Sequence, residues 1–99
     1  MAGAGPGNSA LVRITFKLFA MLSDHLPAQV DGNPREGNAV SFEVPEGTTV
    51  QQLIDRFALP ARLVHLVLID GRYVEPSQRV VRILADGETL AIWPPIAGG

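Results

Sequence analysis

The chain contains no cysteine, which rules out a disulfide framework, a thiolate metal site and an internal cysteine nucleophile. Any sulfur chemistry must use sulfur brought from elsewhere. Lysine is nearly missing as well: of eight cationic side chains only Lys17 is a lysine, and 18% charged residues leave a formal net charge of -2. No basic stripe for nucleic acid and no polybasic membrane patch can be assembled from this set. No apolar run is long enough to span a bilayer. Met1 to Ser9 lack both a cationic side chain and an apolar core, so no signal peptide is expected there. With the absence of cysteine, this fits a cytoplasmic protein. His25 and His65 stand far apart with no companions at ligand spacing, so no metal site is expected. Ser9, Ser23, Ser41 and Ser77 lack any nucleophile setting, and an autonomous hydrolase is not expected either.

What is present is enough apolar sequence for one small domain: 46% of 99 residues are hydrophobic. Residues 1–10 are small, Gly-rich and uncharged and read as a flexible arm; they follow no strand, which disfavours a phosphate loop. From Leu11 the pattern changes. Val12, Ile14, Phe16 and Leu18 alternate with Arg13, Thr15 and Lys17, predicting a strand with one buried face. Phe19, Leu22 and Leu26 at helical spacing before Pro27 predict a short helix. Residues 28–38 are dense in turn formers and read as an exposed, mobile loop.

Val40, Phe42 and Val44 predict a second strand stopped by Pro45-Glu46-Gly47. The clearest helix follows, with Thr48 as cap, Gln51 completing a capping box, and Val50, Leu53, Ile54 and Phe57 forming an apolar stripe about three turns long. Leu63 to Ile69 reads as a central strand, and Asp70-Gly71 as a tight hairpin into Arg72-Tyr73-Val74. Residues 75–84 fit either a short strand or an irregular packed segment. Asp86-Gly87 then turns into a last strand, Thr89 to Trp93. The expected fold is α+β, a mixed sheet of about five strands with one principal helix on one face.

The chain ends Pro94-Pro95-Ile96-Ala97-Gly98-Gly99. Two prolines remove two backbone donors and favour an extended path, so the segment is expected to leave the sheet instead of pairing with it. Gly98 and Gly99 have no Cβ, which lets the terminal carboxylate enter a channel too narrow for ordinary side chains. The organisation expected is an arm at 1–10, a domain at 11–93 and a tail at 94–99. In the last strand Leu90 and Ile92 share one face, leaving Ala91 and Trp93 on the other. Trp93 is open to two readings, interior packing or an anchor for a partner. The cations Arg13, Lys17, Arg56, Arg62, Arg72, Arg79 and Arg82 read as solvated positions, some of which can steer docking.

Three stretches resemble the ubiquitin-like β-grasp sulfur carriers, and most closely the small subunit of molybdopterin synthase: residues 16–22, residues 68–74 and, most specifically, residues 84–99 with their Pro-Pro-Ile-Ala-Gly-Gly ending. The Gly-rich arm, the segment at 28–38 and Trp93 depart from the family pattern. The resemblance implies a β-grasp fold and a carrier that binds no cofactor and is not itself an enzyme. An E1-like adenylating enzyme would use ATP and magnesium to convert the Gly99 carboxylate into an acyl-adenylate. A persulfide sulfur donor would then leave a thiocarboxylate on Gly99, to be spent inside the large subunit of molybdopterin synthase, where the catalytic residues are expected. Gly98, Ala97, Ile96, Pro95, Pro94 and Trp93 would be the tail and partner contacts. The same tail also fits sulfur carriage for thiamine or tRNA thiolation, a protein modifier attached to lysines, or a β-grasp interaction domain with an inert tail.

Overall fold

The computed structural model describes residues 10–96. Residues 1–9 of the arm expected at 1–10 and the last residues Ala97, Gly98 and Gly99 lie outside the described residues. Strand β1, Leu11–Leu18, buries Val12, Ile14, Phe16 and Leu18, as its alternation predicts. It pairs antiparallel with β4, Ala39–Pro45, and parallel with β7, Thr89–Trp93. Strand β5, Leu66–Ile69, joins β7 on its other side and pairs in turn with the short β6, Arg72–Tyr73. The order β4-β1-β7-β5-β6 sets the last strand in the middle of the sheet, so β7, not β5, is the central strand. This is the mixed five-stranded sheet with one helix expected of a β-grasp.

Helix α1, Val50–Arg56, buries Val50, Leu53 and Ile54 against the sheet. Phe57, just beyond it, meets the rings of Phe16 and Phe42 at centroid distances of 4.9 and 5.9 Å. The capping box exists one residue later than expected: Gln52 N–H donates to Thr49 Oγ1 at 3.2 Å, and Thr49 N–H to Gln52 Oε1 at 2.9 Å. Thr48 is occupied elsewhere, its hydroxyl donating to Pro45 O at 2.7 Å to close the preceding turn. The first helical N–H groups, of Val50 and Gln51, are taken up by Arg82 O and Arg79 O.

The helix has two turns instead of three because Ala58 enters the left-handed region at φ 53°. Ala58 N–H donates to Asp55 O and Leu59 N–H to Ile54 O, the paired bonds of a Schellman ending, with Leu59 and Ile54 both buried. Glycine is the usual residue at that position because a Cβ disfavours positive φ. Ala58→Gly is therefore expected to stabilise the domain by about 0.5–1 kcal/mol, raising Tm by roughly 2–6 °C in a calorimetric scan. An unchanged or lower Tm counts against this account.

The short helix expected at 19–26 is present as a 3₁₀ helix, Ala20–His25, with Leu22 and Leu26 buried as its spacing suggested. Two expectations are corrected. Residues 28–38 are not a mobile loop. Gln29–Val30 and Asn33–Pro34, strands β2 and β3, pair across Asp31-Gly32, whose φ values of 50° and 84° suit a tight hairpin turn. Buried Val30 holds the hairpin to the core, and Arg35 donates to Ser23 O and Leu26 O at 3.0 and 2.7 Å, satisfying carbonyls at the end of the 3₁₀ helix. Apolar sequence at 63–69 is also divided, between a 3₁₀ turn at Ala61–Leu63 and β5.

Residues 75–84 take the irregular alternative: a 3₁₀ turn at Pro76–Gln78, then an extended segment that bridges Thr49 at Ile83 and buries Leu84. Glu88 fastens the turn into β7, accepting from Ala85 N–H at 2.7 Å and from Arg82 Nη2 at 2.8 Å. Burial pushes the Glu88 carboxyl up, but the Arg82 and Ala85 hydrogen bonds and the Arg82 charge together outweigh it and hold it below its ordinary value of 4.5. A carboxyl lowered in the folded state contributes stability above its ordinary value, and that contribution is lost as pH falls through the lowered one. Glu88→Gln is thus expected to lower Tm at neutral pH, with the gap to the parent closing below pH 4.5. A pH-independent gap would assign Glu88 no such part.

Candidate functional site at the root of the tail

Because β1 and β7 run parallel, with Phe16 beside Leu90 and Leu18 beside Ile92, both strands finish at the same end of the sheet. Two bonds clamp the root of the tail there: Phe19 N–H donates to Ile92 O and His65 N–H to Trp93 O, each at 3.1 Å. Past this point Pro94 and Pro95 offer no N–H to a neighbouring strand. Pro94 is half-buried, Pro95 exposed, and Ile96 83% exposed, so the last described apolar side chain before the glycines stands almost free in solvent. Ala97, Gly98 and Gly99, on which the expected chemistry rests, lie outside the described residues.

The register places side chains on two faces. Leu90 and Ile92 point to α1 with Phe16, Leu18, Val67 and Ile69, all of them buried. On the outer face Ala91 stands between Lys17 and Leu68, Trp93 is paired with Leu66, and Tyr73 with Leu68. Trp93 is half-buried and lies flat on Phe19, with ring centroids 4.0 Å apart and planes 7° from parallel. It is therefore not interior packing. Tyr73 is 55% exposed, and Leu66 and Leu68 are half-buried, so the face carries an apolar patch that runs up to the tail. Toward β4 the same face turns polar: Thr15 and Ser41 share a hydroxyl hydrogen bond of 2.8 Å, and Arg13 lies beyond them on β1.

Sequence reasoning placed Trp93, Pro94, Pro95 and Ile96 at the site but missed Phe19, Leu66, Leu68 and Tyr73. Their face depends on strand register, and the helical spacing that begins at Phe19 carries no sign of its stack on Trp93. Several cations read as merely solvated have partners. Arg56 bonds Asp31 at 3.1 Å and lies over the Phe42 ring at 5.2 Å; Arg82 bonds Glu88; Arg79 Nη2 reaches His65 O at 3.5 Å. Two cavities, of about 210 and 140 Å³, lie between β4 and the β2–β3 hairpin and beside α1, and no tail residue lines either. Among the described residues no group of three acidic or histidine side chains is placed to hold a metal, and no helix is long and apolar enough to cross a membrane. The arrangement can present a slender extended tail beside an apolar platform.

No curated protein matches the chain. The solution structure of the HVO 2177 protein of Haloferax volcanii is similar with a TM-score of 0.67 at 20% identity, over 98% of this chain and 100% of that one, a likeness of fold. The crystal structure of SAMP1 from Haloferax volcanii is similar with a TM-score of 0.58 at 26% identity, over 88% of this chain and 99% of that one. The profile of the ThiS family matches residues 29–99, from the β2–β3 hairpin through Gly99. The chain belongs to the ThiS family, the ubiquitin-like β-grasp sulfur carriers.

Proposed function

We propose that this protein carries sulfur on Gly99 for the formation of molybdopterin. The observation that carries the reading is the family match, which extends through Gly98 and Gly99 and is joined to a tail root set beside an apolar platform. In this reading an E1-like adenylating enzyme holds the outer face and threads the tail into its nucleotide site. A Gly99 carboxylate oxygen attacks the α-phosphorus of magnesium-bound ATP, pyrophosphate leaves, and the acyl carbon gains AMP as its leaving group. The terminal sulfur of a persulfide displaces AMP. A thiol then reduces the acyl disulfide, releasing the donor's thiol as a disulfide and leaving a thiocarboxylate. The loaded tail next enters the large subunit of molybdopterin synthase, whose residues perform the transfer to carbon. Ile96 and Ala97 supply the apolar contacts that fix the depth of insertion. What supports the molybdopterin acceptor over the thiamine and tRNA pathways is the short helix directly after β1 and the Pro-Pro-Ile-Ala-Gly-Gly ending.

The test is intact mass spectrometry after incubation with ATP, an activating enzyme and a persulfide donor. A gain equal to one oxygen replaced by sulfur, localised to Gly99, is the expected result. Absence of the gain, with enzymes active on a known carrier, overturns the reading. Isopeptide-linked products in place of the gain assign the tail to protein modification.

A further inference from the structure

The cations of this chain are distributed unevenly by chemistry. Seven are arginines and one, Lys17, is a lysine. Arg13, Arg56, Arg62 and Arg72 are exposed, whereas Lys17, like Arg35, Arg79 and Arg82, is half-buried. Lys17 lies on the outer face of β1, with Ala39 and Ala91 as its two cross-strand neighbours, so it belongs to the platform beside the tail. The exposed cations among the described residues are thus all guanidinium groups.

This difference matters to a chain whose end is activated, and the inference rests on the reading of Gly99 given above. An ammonium can shed its proton and attack an acyl carbon; a guanidinium stays protonated in proteins and does not. In such an attack the amine nitrogen forms a bond to the Gly99 carbonyl carbon, the bond to the leaving group breaks, and the ammonium proton passes to solvent. The product is an isopeptide that has used up the activated end without carrying sulfur.

We infer that this surface is protected against acylation by the activated ends of its own kind: arginine supplies the exposed positive charge, and the single lysine is withdrawn into the docking face. A partner seated on that face covers the amine while the tail is activated, so the activated carbon is left to sulfur.

The experiment bypasses the activating enzyme. The full chain is prepared with Gly99 as an alkyl thioester and its α-amine acetylated, and covalent dimers are followed by mass spectrometry at mildly alkaline pH. Arg62→Lys and Arg72→Lys proteins are expected to form isopeptide-linked dimers on the order of tenfold faster than the parent. Lys17→Arg, which leaves this acetylated chain without an amine, is expected to abolish the parent's slow isopeptide formation. Two variants on different elements guard against a folding artefact in either. The inference is overturned if the parent dimerises as fast as both variants, or if Lys17 accepts as much acyl group as the introduced lysines. Failure of sulfur loading with the enzyme present would instead strike at the reading of Gly99, which this thioester assay does not involve.

Discussion

Gly98→Val and Gly99→Val proteins are expected to fold as the parent does and to take up no measurable sulfur. Both positions lie in the sequence beyond β7, which ends at Trp93, and beyond the two prolines, so the thermal melt is expected to be unchanged. The loss arises at the reacting carbon. A β-branched side chain widens the tail and restricts its backbone where a narrow channel must accept it. A displacement of only about 1 Å from reacting geometry is enough to cost on the order of 10²-fold in rate. Loading read from intact mass should therefore fall at least that far, with Gly98→Ala between parent and valine. Loading of Gly99→Val at the parent's rate would show that no narrow passage is involved.

The second large effect is expected at Trp93. An aromatic residue that stacks on Phe19 at 4.0 Å yet remains half-buried offers a rigid apolar surface beside the tail. Removing such an anchor typically weakens an interface by about 2 kcal/mol, roughly a thirty-fold change. Trp93→Ala should accordingly raise KM for the activating enzyme about thirty-fold while kcat stays close to the parent's. Trp93 stands several residues before Gly99 in the chain, and a contact made equally in ground and transition states changes KM and leaves kcat. Some loss of Tm accompanies it, because Phe19 also loses its stacking partner, and a melt distinguishes this from weakened docking. A KM equal to the parent's in a folded Trp93→Ala protein would place the contact surface elsewhere.

Legibility followed the range of the interaction. Val12, Ile14, Phe16 and Leu18 announced their burial because alternation within one strand needs no knowledge of its neighbours. Two adjacent threonines satisfy the capping-box pattern, and only the hydrogen bond from Thr48 to Pro45 O decides between them. The hairpin at 29–34 gives no strand signal in the sequence although Asp31-Gly32 is the same turn dipeptide as Asp70-Gly71. Its strands are two residues each, too short for alternation to register, and they depend on Arg35 reaching the 3₁₀ helix. Ala58 carries no sign of a helix end, since alanine is the best helix former. Its positive φ is imposed by the burial of Leu59 and by the bond from Leu59 N–H to Ile54 O.

The sequence by itself determined the tail's expected chemistry and the inward face of each long strand, because these rest on local covalent facts: a missing Cβ, a missing N–H and the two-residue period of a strand. Only the tertiary structure decided that the first and last strands lie side by side and parallel. That pairing stacks Phe19 on Trp93, sets Lys17 beside Ala91 and turns scattered apolar residues into one platform at the root of the tail. Strand register is fixed by the joint burial of side chains far apart in the chain, and no local pattern encodes it.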